Sequence, residues 1–228
     1  MTAANQPRSP NHHPDDGVLM DYASGAAHEA GAVLIATHLA FCPQCHDTVR
    51  NLESLGGALI QDLPPSALTP GSRDAVLARL DEPSKRHPAA ADGPEQPMPA
   101  TTVPRPLRDY LGADLATLPW RRIGPAVQQV EVPVKSGGQE HMRLLRAKAG
   151  TVIPRHTHRG TEMILVLFGG YRDQSGQFLP GDFAFSDDHV DHTPRVDPGE
   201  DCLCLSVTDA PLRFTGPFGR ILNLFVRL

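Results

Sequence analysis

Between Pro83 and Pro106 the chain reads PSKRHPAAADGPEQPMPATTVPRP, with seven prolines and no apolar periodicity. Each proline fixes φ near −65° and removes a backbone donor, so neither helix nor ladder propagates through such a stretch. An extended, semi-rigid spacer is the expected result. It splits the 228 residues into two halves with different patterns. The residues before it carry helical spacing, and those after it carry short apolar runs punctuated by Gly, Pro and Asp.

In the first half, Asp15 and Asp16 are placed to cap a helix carrying Val18, Leu19 and Tyr22 and ending near Gly25. A second helix is predicted from about His28 to Phe41, with Val33, Leu34 and Leu39 as apolar positions. Proline is favourable at a first helical position. Cys42 therefore reads as a cap and Pro43 as the start of a third helix through Val49, Leu52 and Leu55, which Gly56-Gly57 should weaken or end. A fourth helix is predicted over Ser72 to Leu80. Four short helices in about 80 residues make a thin core, the circumstance in which a metal staple helps most.

That segment holds the densest chemistry. His38-Leu-Ala-Phe-Cys42-Pro-Gln-Cys45 places an imidazole and two thiols within eight residues. Zinc prefers tetrahedral nitrogen and sulfur ligation, and Cys-x₂-Cys is a common half-site. His12, His13 and His28 are candidates for the fourth donor. His13 is favoured, because it lies closest to the helix start that would anchor it, with His12 the near alternative. A thioredoxin-like redox pair is the competing reading, but such pairs follow a strand in a βαβ unit, and no strand pattern precedes Cys42. The N-terminus has no apolar stretch of signal-peptide type, and no run approaches the roughly 20 apolar residues needed to span a bilayer. A reducing, cytoplasmic location is expected, where paired cysteines read as metal or redox sites. A net charge of −5 argues against direct nucleic-acid binding.

The second half reads as strands: Ala126–Val132, Met142–Leu145, Glu162–Phe168, Phe183–Phe185, Cys202–Val207 and Ile221–Val226. A sandwich or barrel is the expected architecture. Within it lies Gly150-x₅-His156-x-His158-x₃-Glu162-x₆-Gly169. Residues i and i+2 of a strand share a face, so both imidazoles can reach one ion. Glu162, returning after the Arg159-Gly160-Thr161 turn, can add an oxygen. Imidazole with carboxylate suits zinc, iron, manganese or nickel. A further histidine on a later strand has two candidates, His189 and His192. Cys202 and Cys204, alternating with Leu203 and Leu205, read as small buried strand residues rather than a redox pair.

The His156-x-His158-x₃-Glu162 spacing resembles the first motif of the cupin superfamily, and Phe178-Leu-Pro-Gly-Asp182 resembles the Pro-Gly turn of the second. The order of motifs across the chain is similar to that of the ChrR family of anti-sigma factors. It comprises His13, His38-x₃-Cys42-x₂-Cys45, His156-x-His158-x₃-Glu162, His192-Thr-Pro and Thr208-Asp-Ala-Pro-Leu-Arg-Phe214. The resemblance implies an α + β multidomain chain in three parts. These are a small helical zinc-bound anti-sigma domain over 12–82, a Pro/Ala-rich linker over 83–106, and an all-β cupin sensor, a double-stranded β-helix barrel, over 107–228. It implies zinc at the first site and zinc or another divalent metal at the second, with His192 completing the latter. It further implies a non-enzymatic regulator that holds an extracytoplasmic-function (group IV) sigma factor and releases it under singlet oxygen or organic peroxides. A metal-dependent cupin dioxygenase is the alternative.

Overall fold

The computed structural model describes residues 8–80, 103–135 and 140–216. Five helices occur among them: α1 (Asp16–Ser24), α2 (Glu29–Leu39), α3 (Pro43–Gln61), α4 (Ser72–Leu80) and α5 (Arg105–Leu111). The strands are β1 (Arg121–Arg122), β2 (Val127–Val132), β3 (His141–Ala147), β4 (His156–His158), β5 (Glu162–Phe168), β6 (Tyr171–Asp173), β7 (Gly176–Phe178), β8 (Phe183–Ser186), β9 (Asp191–His192), β10 (Arg195–Val196), β11 (Cys202–Thr208) and β12 (Leu212–Phe214). The run at 221–226 lies outside the described residues.

Local chemistry accounts for the helix ends. The Asp15 side chain accepts from the Val18 amide at 2.8 Å and so caps α1. Gly25 closes that helix in the left-handed region, φ 75°, which a residue without Cβ enters freely. Pro43 opens α3 as expected. Two expectations fail. Gly56-Gly57 does not end α3, which runs on to Gln61. Glycine costs about 1 kcal/mol relative to alanine in a helix interior, and the flanking Leu55, Ala58 and Leu59 are strong enough formers to carry the turn. The tail of the proline-rich segment is also helical. Pro106 stands in the first turn of α5, where a missing N–H is harmless, and Leu107 is fully buried.

The strands form one six-stranded antiparallel sheet, ordered β1-β2-β3-β11-β5-β8, and two three-stranded sheets, β10-β6-β7 and β12-β4-β9. Every residue of β11 is buried. Helix α2 is apolar nearly all round, the pattern of a helix inside a core rather than on a surface, and it packs against α5, β5 and β11. A Cβ at Gly31 of α2 would lie 3.2 Å from the Met163 side chain, so the small residue lets helix and sheet approach closely.

One hydrophobic cluster therefore contains Leu19, Leu34, Ile35 and Val49 of the helices together with Leu107, Leu144, Leu165 and Leu205. The thin, separate helical core expected from the sequence is replaced by a core shared with the sheets. The described residues of Met1–Ser54 and Val103–Leu228 make one compact unit, and Leu55–Thr102 belong to a second. In the second, nearly every described residue is exposed, including Leu55, Leu59, Ile60, Leu63, Val76 and Leu77. No helix among the described residues is long and apolar enough to cross a membrane.

Two candidate metal centres

The first centre forms where α2 hands over to α3. The amides of Phe41 and Cys42 both return to the His38 carbonyl, at 2.8 and 3.0 Å, and this tight turn brings Cys42 beside the end of α2. The Cys45 amide, in the first turn of α3, points at the Cys42 sulfur at 3.4 Å. His13 arrives from the extended segment before α1, its Nδ1 lying 3.3 Å from the Cys42 sulfur and 3.4 Å from that of Cys45. The four donor atoms of His13, His38, Cys42 and Cys45 lie within 4.8 Å of one another. Tetrahedral zinc–nitrogen and zinc–sulfur bonds require donors roughly 3.3–3.8 Å apart.

The ring of His38 supplies the test of fit. Its Nδ1 meets the Gly181 carbonyl at 2.8 Å. A carbonyl only accepts, so Nδ1 carries the proton and Nε2 holds a bare lone pair. That Nε2 is buried with no hydrogen-bond partner, an arrangement that costs stability unless something electrophilic fills it. Burial, countered in part by the bond to Gly181, lowers the His38 pKa to about 4, so the imidazole is neutral and available. Burial and the adjacent Cys42 thiol push Cys45 up to about 12. A cation binding here displaces that proton. The residues fit a metal ion.

The second centre is built on strands. His156 and His158 lie on β4, both buried, and His156 is directly opposite His192 of β9. Glu162 opens β5, after a turn held by Asp209, whose carboxylate accepts from the Thr161 amide at 2.6 Å and hydroxyl at 2.9 Å. His156 Nδ1 donates to the Pro154 carbonyl at 2.8 Å, and His192 Nδ1 donates to Asp173 Oδ2 at 2.7 Å. Both rings thereby turn their Nε2 lone pairs toward each other, 3.0 Å apart. Two acceptors at that distance repel unless a cation lies between them. His158 Nε2 is buried without a partner, and its Nδ1 stands 3.7 Å from Glu162 Oε2. Ser206 donates to Glu162 Oε1 at 3.3 Å. Burial holds His156 and His158 near a pKa of about 4 and raises Glu162 to about 7. This group also fits a metal ion.

The candidates fall into different surroundings. His13 joins the first group, whereas His12 stacks on Phe178 at 4.3 Å between ring centres, and His28 stands at the N-cap of α2. His192 joins the second group, whereas His189 is 88% exposed. The Cys202 and Cys204 sulfurs lie 3.5 Å apart, buried in β11. Sequence reasoning missed the groups that orient the donors: Asp173 and the carbonyls of Pro154 and Gly181 for the rings, and Ser206 for Glu162. Asp173 is 19 residues from His192, and only the pairing of β6 with its neighbours brings it near. A cavity of about 390 Å³ with mainly apolar walls, among them Leu145, Ile164 and Phe214, reaches His156, Glu162 and His192.

Residues 109–211 match the family described as the ChrR cupin-like domain, a span that contains all four residues of the second centre. Over 217 residues the chain is 39% identical to the anti-sigma-E factor ChrR of Cereibacter sphaeroides, covering 95% of this chain and 98% of that protein. The chain belongs to the ChrR family. Among solved structures, this ChrR-family chain is similar to Rhodobacter sphaeroides SigE in complex with the anti-sigma ChrR. There the TM-score is 0.75 at 36% identity, covering 88% of this chain and 100% of that chain.

Proposed function

We propose that this ChrR-family chain is an anti-sigma factor that sequesters an extracytoplasmic-function (group IV) sigma factor in the cytoplasm. The carrying observation is the match, over 88% of its length, to an anti-sigma ChrR determined with its sigma factor bound. The exposed apolar residues of α3 and α4, among them Leu55, Leu59, Ile60, Val76 and Leu77, support the same reading, because large apolar side chains left in water favour a partner that covers them. As a division of labour, residues 12–82 bind the partner, 83–106 link, and 107–228 sense, the sensor being a double-stranded β-helix barrel.

Zinc held by His13, His38, Cys42 and Cys45 would fix the α2–α3 turn, and zinc or another divalent cation would be held by His156, His158, Glu162 and His192. When bound, such an ion supplies charge that neutralises thiolates and carboxylate and draws the buried lone pairs together. Everything else is done by the chain. Pro154, Asp173 and Gly181 set the tautomers, and Ser206 holds Glu162 (hydrogen bonds to a ligand's far side tune its basicity). Singlet oxygen or organic peroxides are the proposed signals. The dioxygenase alternative yields to a relative of nearly equal length named as a regulator.

Full-length chain co-expressed with an extracytoplasmic-function sigma factor should co-purify with it. A Leu59→Asp, Ile60→Asp double variant should lose the partner while its own stability changes by less than about 0.5 kcal/mol, as for ordinary surface substitutions. Undiminished capture by that variant would remove α3 and α4 as the binding surface. Failure of the wild type to capture such a sigma factor would count against the function itself.

A further inference from the structure

The turn between β7 and β8 contains a carboxylate with an unusual set of partners. Asp182 is wholly buried. Its Oδ1 accepts from the amides of Asn11, at 2.6 Å, and His12, at 3.1 Å. Its Oδ2 accepts from the Leu179 amide at 2.8 Å and from Arg8 at 2.7 Å. A carboxylate offers about four lone-pair directions, and all are taken. Three of the four donors belong to the segment that leads into His13. The His12 carbonyl in turn accepts from the Phe183 amide at 3.0 Å, closing a loop of bonds around Asp182.

The residue before Asp182 acts on the same centre from the other side. The Gly181 carbonyl orients the His38 ring. Gly181 has φ 90°, and a Cβ there would meet Phe41 at 2.8 Å and Pro10 at 2.9 Å. The turn is thus wedged between the end of α2 and the N-terminal segment, with no room for a side chain. Two consecutive residues from the cupin-like half touch the mounts of two ligands, His13 and His38, that lie far away in sequence.

We infer that Asp182 is the positioning residue of the thiolate centre, and that through it the cupin-like half governs how firmly that centre keeps its ion. This rests on the proposed ligation by His13, His38, Cys42 and Cys45. The neighbouring hairpin gives the arrangement a second end. Asp173 on β6 orients His192 of the other centre, while on β7 the Gln177 carbonyl accepts from His12 Nε2 at 3.1 Å and Phe178 stacks on the same ring. One short hairpin, Tyr171 paired with Phe178 and Asp173 with Gly176, therefore touches a ligand of the second centre and the residue next to a ligand of the first. A shift of that hairpin moves the frame that Asp182 completes.

The test uses full-length protein loaded with cobalt(II), whose thiolate charge-transfer absorption reports the first centre alone. Asp182→Asn keeps the shape but sets an amide NH₂ against donors. It should lose that absorption to a chelator about 10–100-fold faster than the wild type, the range for losing a ligand-orienting group. Arg8→Ala, on a partly exposed side chain, should accelerate loss about threefold. In both variants hydrogen exchange at the Asn11 and His12 amides should rise, while cobalt in the second centre dissociates at the wild-type rate. Wild-type kinetics in both variants, or equal acceleration at both centres, would overturn the inference. If Asp182→Asn does not fold, Arg8→Ala decides alone. Absence of thiolate–cobalt absorption in the wild type would instead sink the ligation on which the inference rests.

Discussion

The two centres solve one problem by opposite constructions. The imidazole-rich centre draws its donors from β4, β5 and β9, two of them facing each other across a single ladder. Its orienting groups lie in the sheets, Asp173 on β6 and Ser206 on β11, or just before β4, as Pro154 does. The thiolate-rich centre draws its donors from an extended segment and two helix ends, and its His38 ring is aimed by Gly181, 143 residues away. A strand register positions ligands by itself, because the pleat repeats every two residues. A helix junction does not, and borrows rigidity from the sheets. The second centre is thus self-framed, the first framed from outside.

Cys42→Ser should break the contrast most severely. The thiolate-rich centre then lacks one of two soft donors, and elemental analysis should show one bound ion fewer per chain with the strand-borne centre still filled. Loss from both centres would mean they are not independently framed. Asp173→Asn makes the converse cut. It weakens the acceptor for His192 Nδ1, and the affinity of the second centre should fall about 10–100-fold, read by competition with a chromophoric chelator. An unchanged affinity would show that the β9 backbone alone orients the ring.

The smallest effect is in pH dependence and needs chelator-stripped protein. His156 and His158 titrate near 4 when folded against about 6.5 when unfolded, so the unfolded chain binds more protons between those values. Stability contributed by the two neutral rings should fall as pH drops from about 6.5 to 4. Glu162 works with the other sign. Folded near 7 and unfolded near 4.3, it favours the native state below 4.3 and loses that contribution as pH rises through 7. Glu162→Gln should therefore gain stability relative to wild type as pH climbs from about 4.5 to 7. Parallel melting-temperature profiles for the two proteins would show that the carboxyl is not neutral in the folded state.

What could be read from the chain alone follows from the same contrast. His38, Cys42 and Cys45 are neighbours in sequence, and His156, His158 and Glu162 are joined by one strand and one turn, so local geometry sufficed. His13 was preferred for its nearness to the first helix and His192 from the family resemblance. The fold groups these two with the other donors, which sequence alone does not show because near neighbours differ only in which way the backbone turns them. The caps Asp15 and Gly25 and the start at Pro43 were legible because each satisfies a bond within a few residues. The extension of α3 through Gly56-Gly57 was not, since a propensity penalty near 1 kcal/mol does not fix an endpoint. Nor was α5, because Pro106 reads as a breaker unless one knows that it occupies a first turn. The shared core was the least visible feature. Leu34 and Ile35 announce that α2 must be covered, but not that β5 and β11 cover it.

That joint core also has a consequence for biosynthesis. β11, the later of the two strands that cover α2, is complete about 170 residues after His38 leaves the peptidyl-transferase centre, roughly 10–30 seconds at common elongation rates. Until then the newborn α2 lacks the last strand that covers its apolar face, with Cys42 and Cys45 just beyond its C-terminal end. A nascent chain cut short before β5 and β11 therefore leaves α2 without its cover.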